Sequence, residues 1–324
     1  MIDGHGRSID YLRVSITDRC NLRCVYCMPC EGVEWVEHTS ILSYEELIRL
    51  CRIFASLGVR RVRLTGGEPL VRKGLDRIVR GVKAIPGIES VTITTNGVLL
   101  AEQLPALLDA GLNGINLSLD TLDREQFKRI TRRDELDSAL AGLKAALAVP
   151  GLNVKLNCVP MGDNDAQLVP LAALARDSRL SVRFIELMPI GLGSSLPRRT
   201  QAQVMEILEG AFGPALPCER AEGAGPGQYV TFRDFQGKVG FISAMTHQFC
   251  GDCNRVRLTA TGFLKTCLQY EAGVDLKALL DSGASDEALR SAMAGAIARK
   301  PAAHHFTEGR EALDERRNMN QIGG

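Results

Sequence analysis

The chain has 324 residues, 45% of them hydrophobic and 24% charged, enough for one large α/β unit with an appendage or for two ordinary domains. A formal net charge of +1 gives no overall attraction to nucleic acid or to a membrane surface, so any anion-binding function has to be local. No run of about 18 apolar residues exists to cross a bilayer, and the first ten residues, MIDGHGRSID, have no apolar core like that of a signal peptide, so a cytoplasmic location is expected.

Short strands alternate with helices over the first two-thirds. YLRVSIT (11–17) reads as a strand and SYEELIRLCRIFASLG (43–58) as a helix, with Ser43 and Glu46 as a capping box and Gly58 as its stop. RVRLTGG, SVTITTNG, GINLSLD, NVKLNCV and SVRFIEL are further strands, separated by helices near 74–84, 101–110, 123–130, 137–148 and 165–178. The stretch GPALPCERAEGAGPGQ (213–228) reads as a linker, dividing the chain into 1–212 and 213–324. Beyond it, QYVTFRD pairs with KVGFIS, and NRVRLTATGFLKTCL forms a second hairpin turning at Thr261–Gly262; a helical stretch covers about 275–298.

Repeated βα units predict a parallel sheet, yet the strands do not show the continuous apolar runs of a sheet covered on both faces. Leu12, Val14 and Ile16 alternate with Arg13, Ser15 and Thr17, and four later strands alternate likewise. One face can therefore pack on helices while the other is polar, which suits an incomplete, TIM-like (β/α)6 barrel with a wet, cationic lumen better than a closed barrel with a packed interior. In the sixth strand Arg183 is out of phase with Glu186 and Met188.

Ten cysteines in a chain of this size without an export signal point to metal or redox chemistry rather than a disulfide framework. Cys20, Cys24 and Cys27 stand as C-x3-C-x2-C in the loop after the first strand, where three thiolates can hold three irons of a [4Fe–4S] cluster and leave the fourth open. Cys30 offers a different triad with Cys24 and Cys27, or a fourth ligand for structural zinc. Cys250, Cys253 and Cys267 form a second group, and His247 would complete a Cys3His zinc site there. Cys51, Cys158 and Cys218 read as small buried hydrophobes.

The cysteine loop followed by LTGGEP (64–69) resembles the radical S-adenosylmethionine (SAM) superfamily. That resemblance implies that Tyr26 lies beside the adenine of SAM, that backbone near Gly67 holds its amino end, and that Ser118 and Met188 make further contacts. FCGDCNRVRLTATGFLKTCL, together with motifs from LRVSITDRCNLRC to the terminal IGG, is similar to the GTP 3′,8-cyclase family of molybdenum-cofactor biosynthesis. The resemblance implies a C-terminal extension binding a second [4Fe–4S] cluster through Cys250, Cys253 and Cys267, with guanine at its open iron. It also implies GTP contacts from Arg13, Arg63, Thr94, Lys155, Arg255, Val256 and Arg257, and a Gly323–Gly324 tail that reaches the active site. The strand alternation independently puts Arg13, Arg63, Thr94 and Lys155 on one polar face, and Arg and Lys are the groups that recognise phosphate oxygens. Arg72 and Arg183 are weaker candidates.

In that family the reduced first cluster cleaves SAM, a hydrogen atom leaves C3′ of the ribose, and C3′ bonds to C8 of the guanine. The catalytic assignment then falls on Arg13, Arg255 and Arg257, which fix the triphosphate and one of which could supply the final proton. The family further implies a flavodoxin- or ferredoxin-like electron donor, a homodimer, and a cyclic pyranopterin synthase as the next enzyme. The competing enzyme reading is a radical SAM peptide maturase with an auxiliary cluster, and the competing non-enzyme reading is an electron-carrying or zinc-binding module.

Overall fold

The computed structural model describes residues 1–34, 36–218, 225–306 and 314–323. Six strands, β1 (Tyr11–Ser15), β2 (Arg61–Thr65), β3 (Ser90–Thr95), β4 (Gly114–Ser118), β5 (Asn153–Cys158) and β6 (Ser181–Ile185), lie side by side in sequence order and all parallel. Between them run α1 (Tyr44–Ser56), α2 (Leu75–Lys83), α3 (Leu100–Asp109), α4 (Arg124–Thr131), α5 (Leu136–Leu147) and α6 (Asp165–Ala173). The expected capping box at Ser43 and Glu46 starts α1, and Gly58, at φ 97°, follows its end in the left-handed region that a side chain disfavours.

The segment after 213 forms no sheet of its own. After α7 (Gln201–Phe212) come β7 (Leu216–Pro217), β8 (Gln228–Thr231), β9 (Lys238–Ile242), β10 (Arg255–Leu258), β11 (Phe263–Lys265) and β12 (Gly273–Asp275), and then α8 (Leu276–Asp281) and α9 (Asp286–Ala298). β9 adds parallel to β6 and β10 adds parallel to β1, so both edges of the six-strand row are extended. The expected hairpins continue antiparallel from there, giving one mixed sheet of order β12-β11-β10-β1-β2-β3-β4-β5-β6-β9-β8-β7. The architecture is thus α/β with a mixed sheet and a C-terminal extension woven into it. Part of the expected linker, 219–224, lies outside the described residues.

Three local expectations are corrected. The helix expected to 178 ends at Ala173. The stretch 275–298 is two helices, separated where Gly283 takes φ 77° and Ser285 caps α9 by accepting from the Ala288 N–H. No element was expected at α7, although Thr200 and Gln203 form a complete capping box there.

The strand alternation divides the sheet as its sequence implies. Leu12, Val62, Leu64, Val91, Ile93 and Leu117 are essentially inaccessible and join one large core with the helices. On the other face Arg13 stands in register with Arg63, Thr94 with Asn116 and Lys155, and Ser118 with Asn157 and Arg183. Arg183 is therefore in phase with this polar face; β6 ends at Ile185, so Glu186 and Met188 no longer obey strand alternation. Cys51 and Cys158 are buried as expected, whereas Cys218 is only half-buried. Among the described residues no helix is long and apolar enough to cross a membrane.

Close backbone approach fixes α5 against the turn before α3. A Cβ built on Gly142 would stand 2.3 Å from the carbonyl oxygen of Gly97 and 3.0 Å from Leu100 Cβ, neither of which can swing aside. Gly142→Ala is expected to destabilise the fold by about 1–3 kcal/mol through overpacking, despite alanine's better helix propensity, and urea unfolding of the purified variant measures it.

Candidate active site

The cysteine loop leaves the C-terminal end of β1 and is braced from two sides. On one side the β2 turn donates from Gly67 N to Thr17 O (2.8 Å) and from Glu68 N to Arg19 O (2.8 Å). A Cβ on Gly67 would lie 2.4 Å from the Arg19 carbonyl oxygen, so glycine is what allows the two backbones to meet. On the other side the end of α4 accepts from Arg23 N at Thr131 O (2.8 Å) and from Val25 N at Ile130 O (2.9 Å). Two of the carbonyls a helix leaves unpaired at its C-terminus are thus satisfied by the cysteine loop. Arg132, the C-cap of α4 at φ 56°, donates from Nη1 to the carbonyls of Arg23 (3.1 Å) and Met28 (3.0 Å).

Loss of water dominates the first thiol group. Burial pushes the Cys20 thiol up to about 11 and Cys27 up to about 12, with Glu68 adding to the first and Cys20 and Asp120 to the second. Cys24 is pushed well above the usual thiol range by burial and then by Cys27, Asp120 and Cys20. Three thiols that disfavour one another's charge in a dry site suit a cationic cluster that takes them as thiolates. Two carboxylates frame the group. Glu68 accepts from Thr95 Oγ1 (2.7 Å), Asn96 N (2.7 Å) and Leu70 N (3.0 Å), while burial raises it to about 7. Asp120, raised to about 6 by burial, accepts from Tyr26 Oη (2.7 Å) and Val159 N (2.8 Å).

The second thiol group is anchored differently. Cys250–Asp252 is a single 3-10 turn closed by Cys253 N donating to Cys250 O (3.2 Å), and Arg7 Nη1 donates to the same carbonyl (2.8 Å). Burial would raise Cys253, but Lys300 and then Arg255 outweigh it and hold this thiol below its ordinary value. Lys300, only 3% exposed, donates to Thr266 O just before Cys267.

Both thiol groups open into one cavity of about 330 Å³. It is lined by all six cysteines of the two groups and by Arg13, Arg63, Arg183, Arg255 and Arg257. Tyr26, Gly67, Thr94, Ser118 and Met188 line it as well. β10 beside β1 is what places Arg255 opposite Tyr11 and Arg257 opposite Arg13. Burial lowers Arg257 to about 10, with Arg255 the next cause, and lowers Arg13 well below the guanidinium norm, with Arg257 the next cause. Such crowding of like charge favours a bound polyanion. Buried Tyr11 Oη, Thr94 Oγ1 and Arg255 Nε make no hydrogen bond among the described residues, as groups prepared for a ligand would.

The chain's C-terminal stretch reaches the same place. Lys265 and Glu315 form a fully buried ion pair, and Arg317 Nε donates to Glu315 Oε1 (2.9 Å). From this anchor the chain runs on to Asn320, whose Nδ2 donates to Asp18 O (3.1 Å), and to Gly323, whose carbonyl accepts from Arg257 Nη1 (2.5 Å). Gly324 lies outside the described residues.

Five sequence candidates stand elsewhere. Lys155 shares the polar face but is not among the cavity-lining residues, and the Val256 side chain is 1% exposed in the helix-facing core, so only its backbone is on offer to a ligand. Arg72 donates to Ile16 O (2.5 Å) and Leu42 O (2.7 Å), a brace rather than a lining group. Cys30 is exposed, and neither it nor His247 lines the cavity. Conversely, Tyr11, Glu68, Asp120, Asn157, Lys300 and His304 line it without having been singled out. Tyr11 and Asn157 were readable from strand phase; Lys300 and His304, far from any motif, were not.

Residues 14–175 match the family model described as the radical SAM superfamily, and residues 180–306 match that described as Molybdenum Cofactor Synthesis C. The GTP 3′,8-cyclase of Pelotomaculum thermopropionicum is 47% identical over 328 residues, and that of Petrotoga mobilis 46% over 327, each covering 100% of both chains. The chain belongs to the GTP 3′,8-cyclase family. Among solved structures, SuiB of Streptococcus suis bound to S-adenosylmethionine superposes with a TM-score of 0.62, covering 90% of this chain and 68% of that one, at 15% identity. That likeness speaks to the fold alone, which this cyclase-family chain shares with it.

Arg132→Gly isolates the brace on the cysteine loop. Glycine relieves the left-handed φ but removes both bonds to the loop. Global unfolding is expected to change by less than about 1 kcal/mol, because the two effects oppose. Amide exchange over residues 20–30 should accelerate; unchanged exchange would mean that the backbone bonds to α4 suffice.

Proposed function

We propose that this chain joins C3′ of the ribose of GTP to C8 of its guanine, giving 3′,8-cyclo-7,8-dihydro-GTP, the first step of molybdopterin biosynthesis. The observation that carries the reading is the single cavity lined by both cysteine groups and by five guanidinium groups. A triphosphate supplies negative charge to those groups.

We read the donor sets as fitting two [4Fe–4S] clusters, one on Cys20, Cys24 and Cys27 and one on Cys250, Cys253 and Cys267. Among the described residues no three Cys, His, Asp or Glu converge tightly enough to chelate one ion. A cluster asks for a wider triangle, since each thiolate binds a different iron. When bound with SAM, the first cluster would supply the one-electron chemistry for removing a hydrogen atom from the ribose. Tyr26, Gly67, Ser118 and Met188 orient SAM in this reading, with Asp120 fixing the Tyr26 ring.

The protein's own work is positioning and exclusion of water, because a reactive carbon held in the wrong place would attack the protein. Arg13, Arg63, Arg255 and Arg257 clamp the triphosphate, Thr94 and the Val256 backbone add hydrogen bonds, and Lys155 adds its charge from the same register row as Thr94. Of Arg13, Arg255 and Arg257, one supplies the final proton to the product in this reading, and burial with a neighbouring guanidinium lowers both Arg13 and Arg257 in the direction that favours such a release. Residues 1–212 serve as the SAM-binding body, with the sheet curved as an incomplete (β/α)6 barrel, and 213–324 close its mouth. A cytoplasmic homodimer, fed by a small electron carrier and followed by a cyclic pyranopterin synthase, fits this chemistry.

Anaerobic reconstitution should yield about eight irons per chain and no zinc. About four irons with one zinc would make the C-terminal group structural and leave the substrate open.

Arg257→Ala should raise KM for GTP by roughly tenfold to a hundredfold, the worth of one charge-assisted contact, while 5′-deoxyadenosine still forms. Cys20→Ser should abolish turnover. Wild-type protein that cleaves SAM yet leaves GTP unconsumed would return the peptide-modifying reading.

A further inference from the structure

The polar cavity accounts for the buried cations, but not for an exposed group on the other side of the cysteine loop. α4 ends in the sequence Lys128-Arg129-Ile130-Thr131-Arg132-Arg133. Ile130 faces inward, where it packs with Val25 and Tyr26, and the carbonyls of Ile130 and Thr131 are bonded to the cysteine loop. Lys128, Arg129 and Arg133 are exposed. Among the described residues none of the three forms an ion pair with a carboxylate.

Helix-end cations ordinarily answer the helix dipole, and that explanation is weakened here. The last carbonyls are already satisfied by Arg23 N, Val25 N and the Arg132 N–H to Lys128 O. The neighbouring acids are also engaged: Asp134 and Asp137 both pair with Arg124, at 2.9 and 3.2 Å. On the other limb of the loop, after Cys30, the exposed charges are Glu31, Glu34 and Glu37. The surface around the loop is therefore polarised, with the positive side at the end of α4.

We propose that this basic end of α4 is the docking surface for an acidic one-electron carrier protein that reduces the cluster held by Cys20, Cys24 and Cys27. The inference rests on the radical SAM reading above. That reading requires an electron from outside the chain, and the cavity side of the loop is committed to substrate. In the step, the carrier's flavin hydroquinone becomes the semiquinone as one electron passes to the cluster, with no bond made in the cyclase. Charge complementarity selects an acidic partner and speeds its encounter, and the loop–α4 hydrogen bonds bring the docked surface within two residues of Cys24.

The test uses reconstituted holoenzyme and two reductants, flavodoxin hydroquinone and dithionite. In the triple variant Lys128→Glu, Arg129→Glu, Arg133→Glu, the rate of cluster reduction by flavodoxin at low salt is expected to fall roughly tenfold or more. The wild-type rate should fall with rising salt and the variant's should not. Dithionite-driven SAM cleavage and GTP turnover should be unchanged. If dithionite-driven activity also falls, the corresponding triple glutamine variant is measured in its place, with the same split expected. An unchanged flavodoxin rate in whichever variant keeps its dithionite activity overturns the proposal. So does an unchanged rate accompanied by lost affinity for single-stranded RNA, which would make the patch a nucleic-acid surface. Failure of wild-type protein to cleave SAM with dithionite would instead defeat the underlying functional reading.

Discussion

The parallel ladder between β1 and β10 is the contact on which the site depends. It joins residues more than 240 positions apart, Tyr11 to Arg255 and Arg13 to Arg257. Because a strand presents alternate residues to opposite faces, one register decides everything: Val256 and Leu258 enter the core beside Leu12 and Val14, and the two arginines face the cavity. A slip by one residue would bury guanidinium groups among leucines and withdraw them from the ligand. The hydrophobic pattern thus enforces the electrostatic one.

The cavity concentrates positive charge. Burial is the first cause disfavouring the charge of Arg13, Arg63 and Arg257, and Arg255 lies over the Phe249 ring at 5.2 Å. Arg183 is held through Asn157 and Asn116, and Arg257 through the carbonyl of Gly323. A site left short of negative charge costs stability in the free protein and recovers it when the anion binds, a common bargain at functional sites.

Much of this is legible in the sequence. Strand phase separates core from cavity in five strands, and the cysteine spacings mark both thiol groups of the site. What stayed hidden followed from non-local pairing. No local pattern announces that β9 and β10 join opposite edges of the same sheet, or that Lys300, at the end of α9, comes to rest against Cys253. Arg183 reads as out of phase only against Glu186 and Met188, which lie beyond the strand. Val256 shows the limit in the other direction: a family motif names positions, and the side of the pleat decides what a side chain can touch.

The closing of both sheet edges by late-arriving strands has a consequence for synthesis. When the ribosome has delivered residues through Ile185, β1 and β6 are complete but their outer edges are bare, and each is a template for pairing with another chain. Cover arrives only with residues 238–258, after at least fifty more peptide bonds have formed, or several seconds at ordinary elongation rates. For that interval the nascent chain already carries its first cysteine group and not its second. The two halves of the site are thereby given an order in time, and a pause or truncation between those points would leave an aggregation-prone, half-equipped chain.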